Sequence, residues 1–139
     1  MIWTLYVELN FGLYAEEPWR AALEVEASST LEDLHNAIQA AVGFDNDHLY
    51  AFFTARTPTS SQRTWLSDPE DDSGLDAPLE TIFPLEPRKT LYYEFDFGDR
   101  WLFKITRART RPFAPTPGVT YPRVVRSSGN PPQQYRYYD

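Results

Sequence analysis

The chain opens on a strict alternation. Trp3, Leu5, Val7 and Leu9 interleave with Ile2, Thr4, Tyr6, Glu8 and Asn10, a period of two with apolar side chains on both faces, which predicts a mostly buried strand. Gly12 and a polar stretch to Pro18 make a connection. Beyond it Trp19, Ala21, Leu23 and Val25 alternate with Arg20, Ala22, Glu24 and Glu26, a half-exposed strand expected to pair antiparallel with the first. The period then lengthens. Leu31, Leu34, Ile38 and Val42 form one helical stripe over about 30–42, with Gly43 as the left-handed stop and Ser29-Thr30-Leu31-Glu32 as a capping box at the start.

The aromatic run 49–54 suits a third strand beneath that helix, because bulky flat side chains fill a pleated, buried surface. Residues 56–76 are polar, broken by Pro58, Pro69 and Gly74, and hold the acidic cluster Asp68, Glu70, Asp71 and Asp72. They read as a long loop pinned by Trp65-Leu66, a length that in a compact domain signals function or mobility. Residues 76–83 have the punctuation of one or two helical turns. Thr90–Phe97 and Trp101–Ala108 are aromatic strands around Gly98-Asp99, a hairpin in which glycine is expected to supply positive φ. From Arg111 onward six prolines predict an extended tail wrapped on the domain rather than a regular strand. The expected class is therefore α+β: a mainly antiparallel sheet with one principal helix packed on it, a long acidic loop and a proline-rich tail. At 139 residues, 42% hydrophobic and 16% aromatic, the chain reads as one domain, with a core over about 1–110 and the tail over 111–139.

Composition narrows the chemistry. There is no cysteine, so disulfides, thiolate metal sites and thiol nucleophiles are excluded. No apolar stretch approaches the roughly 20 residues of a membrane-spanning helix, and the alternating start is unlike a signal peptide; a cytoplasmic protein with no membrane partner is expected. Charge is unevenly distributed. Residues 1–99 carry 5 basic and 19 acidic side chains, whereas residues 100–139 carry 8 and 1, giving −14 against +7. The basic last third either folds back on the acidic part or is displayed to an anionic partner. In the second case Arg107, Arg109, Arg111, Arg123 and Arg126, interleaved with aromatic residues, supply the phosphate contacts and stacking of a nucleic-acid surface. The acidic remainder would repel such a partner.

The runs Thr30-Leu31-Glu32-Asp33-Leu34-His35-Asn36-Ala37-Ile38-Gln39-Ala40-Ala41-Val42-Gly43-Phe44, Asp47-His48-Leu49, Tyr93-Glu94-Phe95-Asp96-Phe97-Gly98-Asp99-Arg100-Trp101 and Tyr121-Pro122-Arg123 resemble the plasmid pRiA4b open-reading-frame-three-like proteins over nearly the whole chain. The resemblance implies a compact α+β domain and an association with mobile genetic elements, and it carries no known activity. Relatives have a His where this chain has Tyr50, another where it has Phe103, and some have tail cysteines. If those positions bind metal in them, this chain lacks most of the ligands.

His35, Asp47, His48, Asp96, Asp99 and Trp101 form the expected binding surface, as the resemblance motifs that core packing explains least. His35, His48, Asp96 and Asp99 are also the one plausible divalent-metal set, although no spacing matches a metal motif. Without a metal, the two imidazoles would simply satisfy polar groups at the helix ends. Asp96-Phe97-Gly98-Asp99 lacks the glycine-rich and catalytic loops of a kinase, so its carboxylates are expected to cap turn amides. No Gly-x-Ser-x-Gly elbow is present. The functional expectation is a non-enzymatic binding module for an unknown protein or small ligand, without a cofactor. The alternative is a divalent-metal hydrolase or nucleic-acid-processing accessory protein.

Overall fold

A computed structural model describes residues 1–134. Seven strands make one sheet: β1 (Ile2–Phe11), β2 (Arg20–Glu26), β3 (Tyr50–Ala55), β4 (Thr64–Trp65), β5 (Thr90–Phe95), β6 (Trp101–Arg107) and β7 (Arg123–Ser128). Their spatial order is β4-β3-β5-β6-β1-β2-β7, and every pairing is antiparallel. Among the described residues two helices accompany them, α1 (Leu31–Val42, 12 residues) and α2 (Leu79–Ile82, 4 residues). The expected α+β class is therefore corrected to a predominantly β fold. The helix signal is strong because it is local, but strand residues far outnumber helical ones, and β4 and β7 fall in segments expected to stay irregular.

The missing strands explain the difference. β4 sits inside the long polar loop, where Trp65 faces Phe53 at 5.1 Å between ring centroids. β7 lies in the tail expected to stay irregular. It runs between Pro122 and Pro131, pairs with β2 along one side only, and its six residues are all exposed, as an edge strand near prolines can be. Arg123 reaches Glu24 on β2 at 2.7 Å, so part of the basic last third does fold back on the acidic part.

One face of each long strand contributes to a single core that also takes in α1. Leu5 and Val7, Leu23 and Val25, Phe52, Tyr93 and Phe95, Phe103 and Ile105 share a core with Leu31, Leu34, Ile38 and Val42 of α1. Full burial of such a side chain is worth about 1.5–3 kcal/mol relative to exposure. A smaller cluster of Phe53, Ala55, Tyr92 and Leu102 covers the opposite face, so β3 and β5 are buried along most of their length.

The cap of α1 falls one residue later than expected. Thr30 Oγ1 accepts from the Asp33 amide at 3.1 Å and Asp33 Oδ2 accepts from the Thr30 amide at 2.9 Å, while Ser29 is held outside the helix by backbone bonds to Glu26 and Leu79. Gly43 closes the helix at φ 78°, as the pattern predicts. In the β5–β6 turn the left-handed residues are Asp96 (φ 61°) and Arg100 (φ 55°), flanking Gly98 rather than using it.

Candidate functional site

Two neighbouring arrangements meet at the β5–β6 turn. The first is a buried polar network behind it. His35 is 2% exposed, on the buried side of α1 rather than at its edge. Its ring stacks on Tyr50 with centroids 3.5 Å apart and planes 4° from parallel. The hydroxyl oxygen of Tyr93 accepts from Gln39 Nε2 at 3.0 Å, so its single proton is left for His35 Nδ1 at 2.5 Å. His35 Nε2 then donates to Asn46 Oδ1 at 2.6 Å, and the Asn46 amide donates to Gln39 Oε1 at 2.9 Å, closing a ring of hydrogen bonds. This bookkeeping makes His35 a neutral imidazole with its proton on Nε2. Burial lowers its pKa, partly offset by the bond to Asn46, and burial raises Tyr93 well above 10.

The second arrangement lies on the surface. The left-handed backbone of Asp96 turns its carboxylate back onto the turn, where Oδ1 accepts from the amides of Gly98 at 3.1 Å and Asp99 at 3.3 Å. Its other oxygen, Oδ2, stands 3.4 Å from His48 Nε2, and Asp47 Oδ1 approaches the same nitrogen at 3.7 Å. Gln134 ties the tail to this corner, accepting from the Asp45 amide at 2.7 Å and donating to Asp47 at 2.8 Å. Burial, then the nearby Asp96 charge, raises the Asp99 pKa; His48 opposes them.

The structure thus brings Asp47, His48, Asp96 and Asp99 together and separates His35 and Trp101 from them. Both ring nitrogens of His35 are spoken for. Trp101 is fully buried against Phe44, at 5.1 Å between rings, and its indole N–H finds no acceptor among the described residues. Among the described residues no three His, Asp or Glu side chains group as a metal site would require. The expected set of His35, His48, Asp96 and Asp99 therefore does not converge as a coordination shell.

The basic residues are scattered. Arg107 lies 3.9 Å over the Trp3 ring, Arg123 pairs with Glu24, Arg126 approaches Tyr6, and Arg109 and Arg111 are exposed. Tyr135, Arg136, Tyr137 and Tyr138, also named in the basic aromatic tail, lie outside the described residues.

A groove of about 590 Å³ opens beside the turn. Its walls are Trp65, Leu66 and Pro69 from the acidic loop and Phe97 from the turn, with Glu94 lining its base. Glu94 is 6% exposed; its Oε1 makes no hydrogen bond, although Arg63 Nη1 and Arg100 Nη2 stand 3.9 and 3.7 Å away. The cross-strand neighbour of Glu94 is Ala51. Sequence reasoning passed over Glu94, Phe97, Gln39 and Tyr93. One signal was available: His35 and Gln39 are four apart on a helix, so they share a face with Leu31, Ile38 and Val42.

No helix among the described residues is long and apolar enough to cross a membrane. The sequence matches the plasmid pRiA4b ORF-3-like protein family over residues 2–135. It is similar to the uncharacterized protein y4hQ of Sinorhizobium fredii (strain NBRC 101917 / NGR234), 28% identical over an alignment of 116 positions that covers 75% of this chain and 52% of that protein. The chain spans about half the length of that relative. In three dimensions it resembles the protein of unknown function MM3350 from Methanosarcina mazei Go1, with a TM-score of 0.70 and 27% identity over 91% of this chain and 68% of that one. The motifs at α1 and at the β5–β6 turn and the match over almost the full length agree: the chain belongs to the plasmid pRiA4b ORF-3-like family.

Proposed function

We propose that this chain is a non-enzymatic binding module whose recognition element is the groove between the acidic loop and the β5–β6 turn. The observation that carries the reading is the groove itself: apolar and aromatic residues, with Ser67, Asp68 and Ser73 among the lining, beside a buried carboxylate oxygen, Glu94 Oε1, that makes no hydrogen bond. Ligand sites combine mostly apolar lining with a few fixed polar groups in this way. The occupant it fits is a flat apolar group bearing an N–H donor, from a small molecule or a protein side chain. His48 and Asp96 act behind it, because Asp96 holds the amides of the turn that presents Phe97. The association with mobile genetic elements rests on the family resemblance alone.

The test is amide shift mapping with a panel of small aromatic amines and amidines. Shifts gathered on Trp65, Gly74, Glu94 and Phe97, and lost at least tenfold in Phe97→Ala, support the reading. The paired change His48→Ala with Asp96→Ala should weaken the same shifts by loosening the turn. Shifts dispersed over the surface, or centred elsewhere, overturn it.

A further inference from the structure

We propose a second site, independent of that groove: a hollow over Ala22 that takes the terminal phosphate of a small phosphomonoester. Ala22 points away from α1 and is flanked in register by Tyr6 on β1 and Arg126 on β7. Two residues along the same face, Arg20 lies opposite Ser128. A methyl group at the centre of this square leaves a cavity of about 290 Å³, lined by Tyr6, Arg20, Arg126, Ser127 and Ser128 around Ala21 and Ala22. No carboxylate lines it.

The chemistry is that of an oxyanion receptor. Guanidinium forks match phosphate oxygens two at a time, and hydroxyls complete the donor set. Among the described residues neither Arg20 nor Arg126 has a carboxylate within 4.0 Å, in contrast to Arg123, whose charge is taken by Glu24. Arg126 Nη2 approaches the Tyr6 hydroxyl at 3.4 Å, so the phenol oxygen accepts there and its proton is available to an anion. Two carboxylates share this face: Glu8, between Arg20 on β2 and Lys104 on β6, and Glu24, two residues beyond Ala22 on β2, whose charge is taken by Arg123.

A compact dianion is favoured over a polyanion by the charge of the whole chain. At −7 overall the protein repels a long phosphate backbone, whereas a single phosphate seated between two arginines feels mainly the charges within about 8–10 Å, the screening length in physiological salt.

Titrating the folded chain with inorganic phosphate and with phenyl phosphate, followed by amide shifts at constant ionic strength, tests the assignment. Saturable shifts at Ala22, Arg126 and Ser128 are expected with both probes, tighter for the monoester, and absent with chloride. Arg20→Ala and Arg126→Ala should each weaken binding at least tenfold, Arg126→Lys should not restore it, and Glu8→Gln should strengthen it severalfold. Ala22→Leu keeps every charge and fills the hollow, so it should abolish binding while the melting temperature confirms folding; Ser128→Ala gives a milder check. Equal shifts with chloride, undiminished binding in folded Ala22→Leu, or binding of a single-stranded oligonucleotide with neither phosphate probe bound, would overturn it.

Discussion

The hydroxyl of Tyr93 and Nδ1 of His35 stand 2.5 Å apart in the core, joining residues separated by 58 positions in sequence. The contact fixes the imidazole as an acceptor on one side and, through Asn46, a donor on the other. Tyr93→Phe leaves His35 Nδ1 and Gln39 Nε2 without their partner in a dry environment. The expected loss is about 1–3 kcal/mol in urea unfolding, with the strands intact by circular dichroism.

The same network makes stability depend on pH through His35. Its pKa is lowered in the folded state, so protonation favours the unfolded chain. The stabilisation is complete above about pH 6.5, the unfolded imidazole value, and is lost as pH falls through the lower folded value. Unfolding free energies at pH 8, 6.5, 5.5 and 5 should fall along that series, and the difference from His35→Gln should account for the slope. Equal slopes in the two proteins would contradict a buried neutral imidazole.

Asp96 combines a left-handed backbone with a carboxylate that accepts two turn amides. Asp96→Asn preserves both properties and should cost little. Asp96→Ala loses the acceptor and keeps the strain, an expected penalty of about 1–3 kcal/mol. Hydrogen exchange should then speed at Gly98 and Asp99 before any other amide. Unchanged exchange there would mean that backbone bonds alone hold the turn.

Gly12 is required by contact. A Cβ there would lie 2.5 Å from the Trp101 ring, which is wedged against Phe44 and has nowhere to retreat. Gly12→Ala should cost about 1–3 kcal/mol and shift the Trp101 fluorescence.

The Arg123–Glu24 pair is well formed and partly solvated, with Arg123 44% and Glu24 14% exposed. A double-mutant cycle should return about 0.2–1 kcal/mol, shrinking at high salt. A larger value would show that β7 is held chiefly by charge.

What the sequence disclosed follows the range of each interaction. α1 was readable because its stripe, its cap and Gly43 lie within one short stretch. The β5–β6 hairpin was readable because its two strands are adjacent, and the approach of His48 to Asp96 was anticipated because both flank motifs at strand ends. Burial of His35 was not legible, since its partner Tyr93 comes from another strand and Asn46 from a loop. β7 was hidden by its own composition: its prolines are flanking, and its six exposed residues leave no buried face to register as period two. Trp65 was read as a pin without the two-residue strand that places it. The groove escaped notice because its lining joins the long loop, Glu94 of β5 and Phe97 of the turn, segments that only the fold brings together.

The position of β1 has a consequence for how the chain acquires its structure. It precedes every other strand in the sequence, yet it lies between β2 and β6, and Leu5 is opposite Arg107 on the latter. The N-terminal hairpin can form early, but its inner edge stays open until about a hundred residues have followed it. Closing so wide a chain loop before the sheet rewards it slows the search, toward the millisecond-to-second regime of proteins dominated by distant pairings. During that interval the open backbone of β1, like that of β2 awaiting β7, is available for capture by another nascent chain.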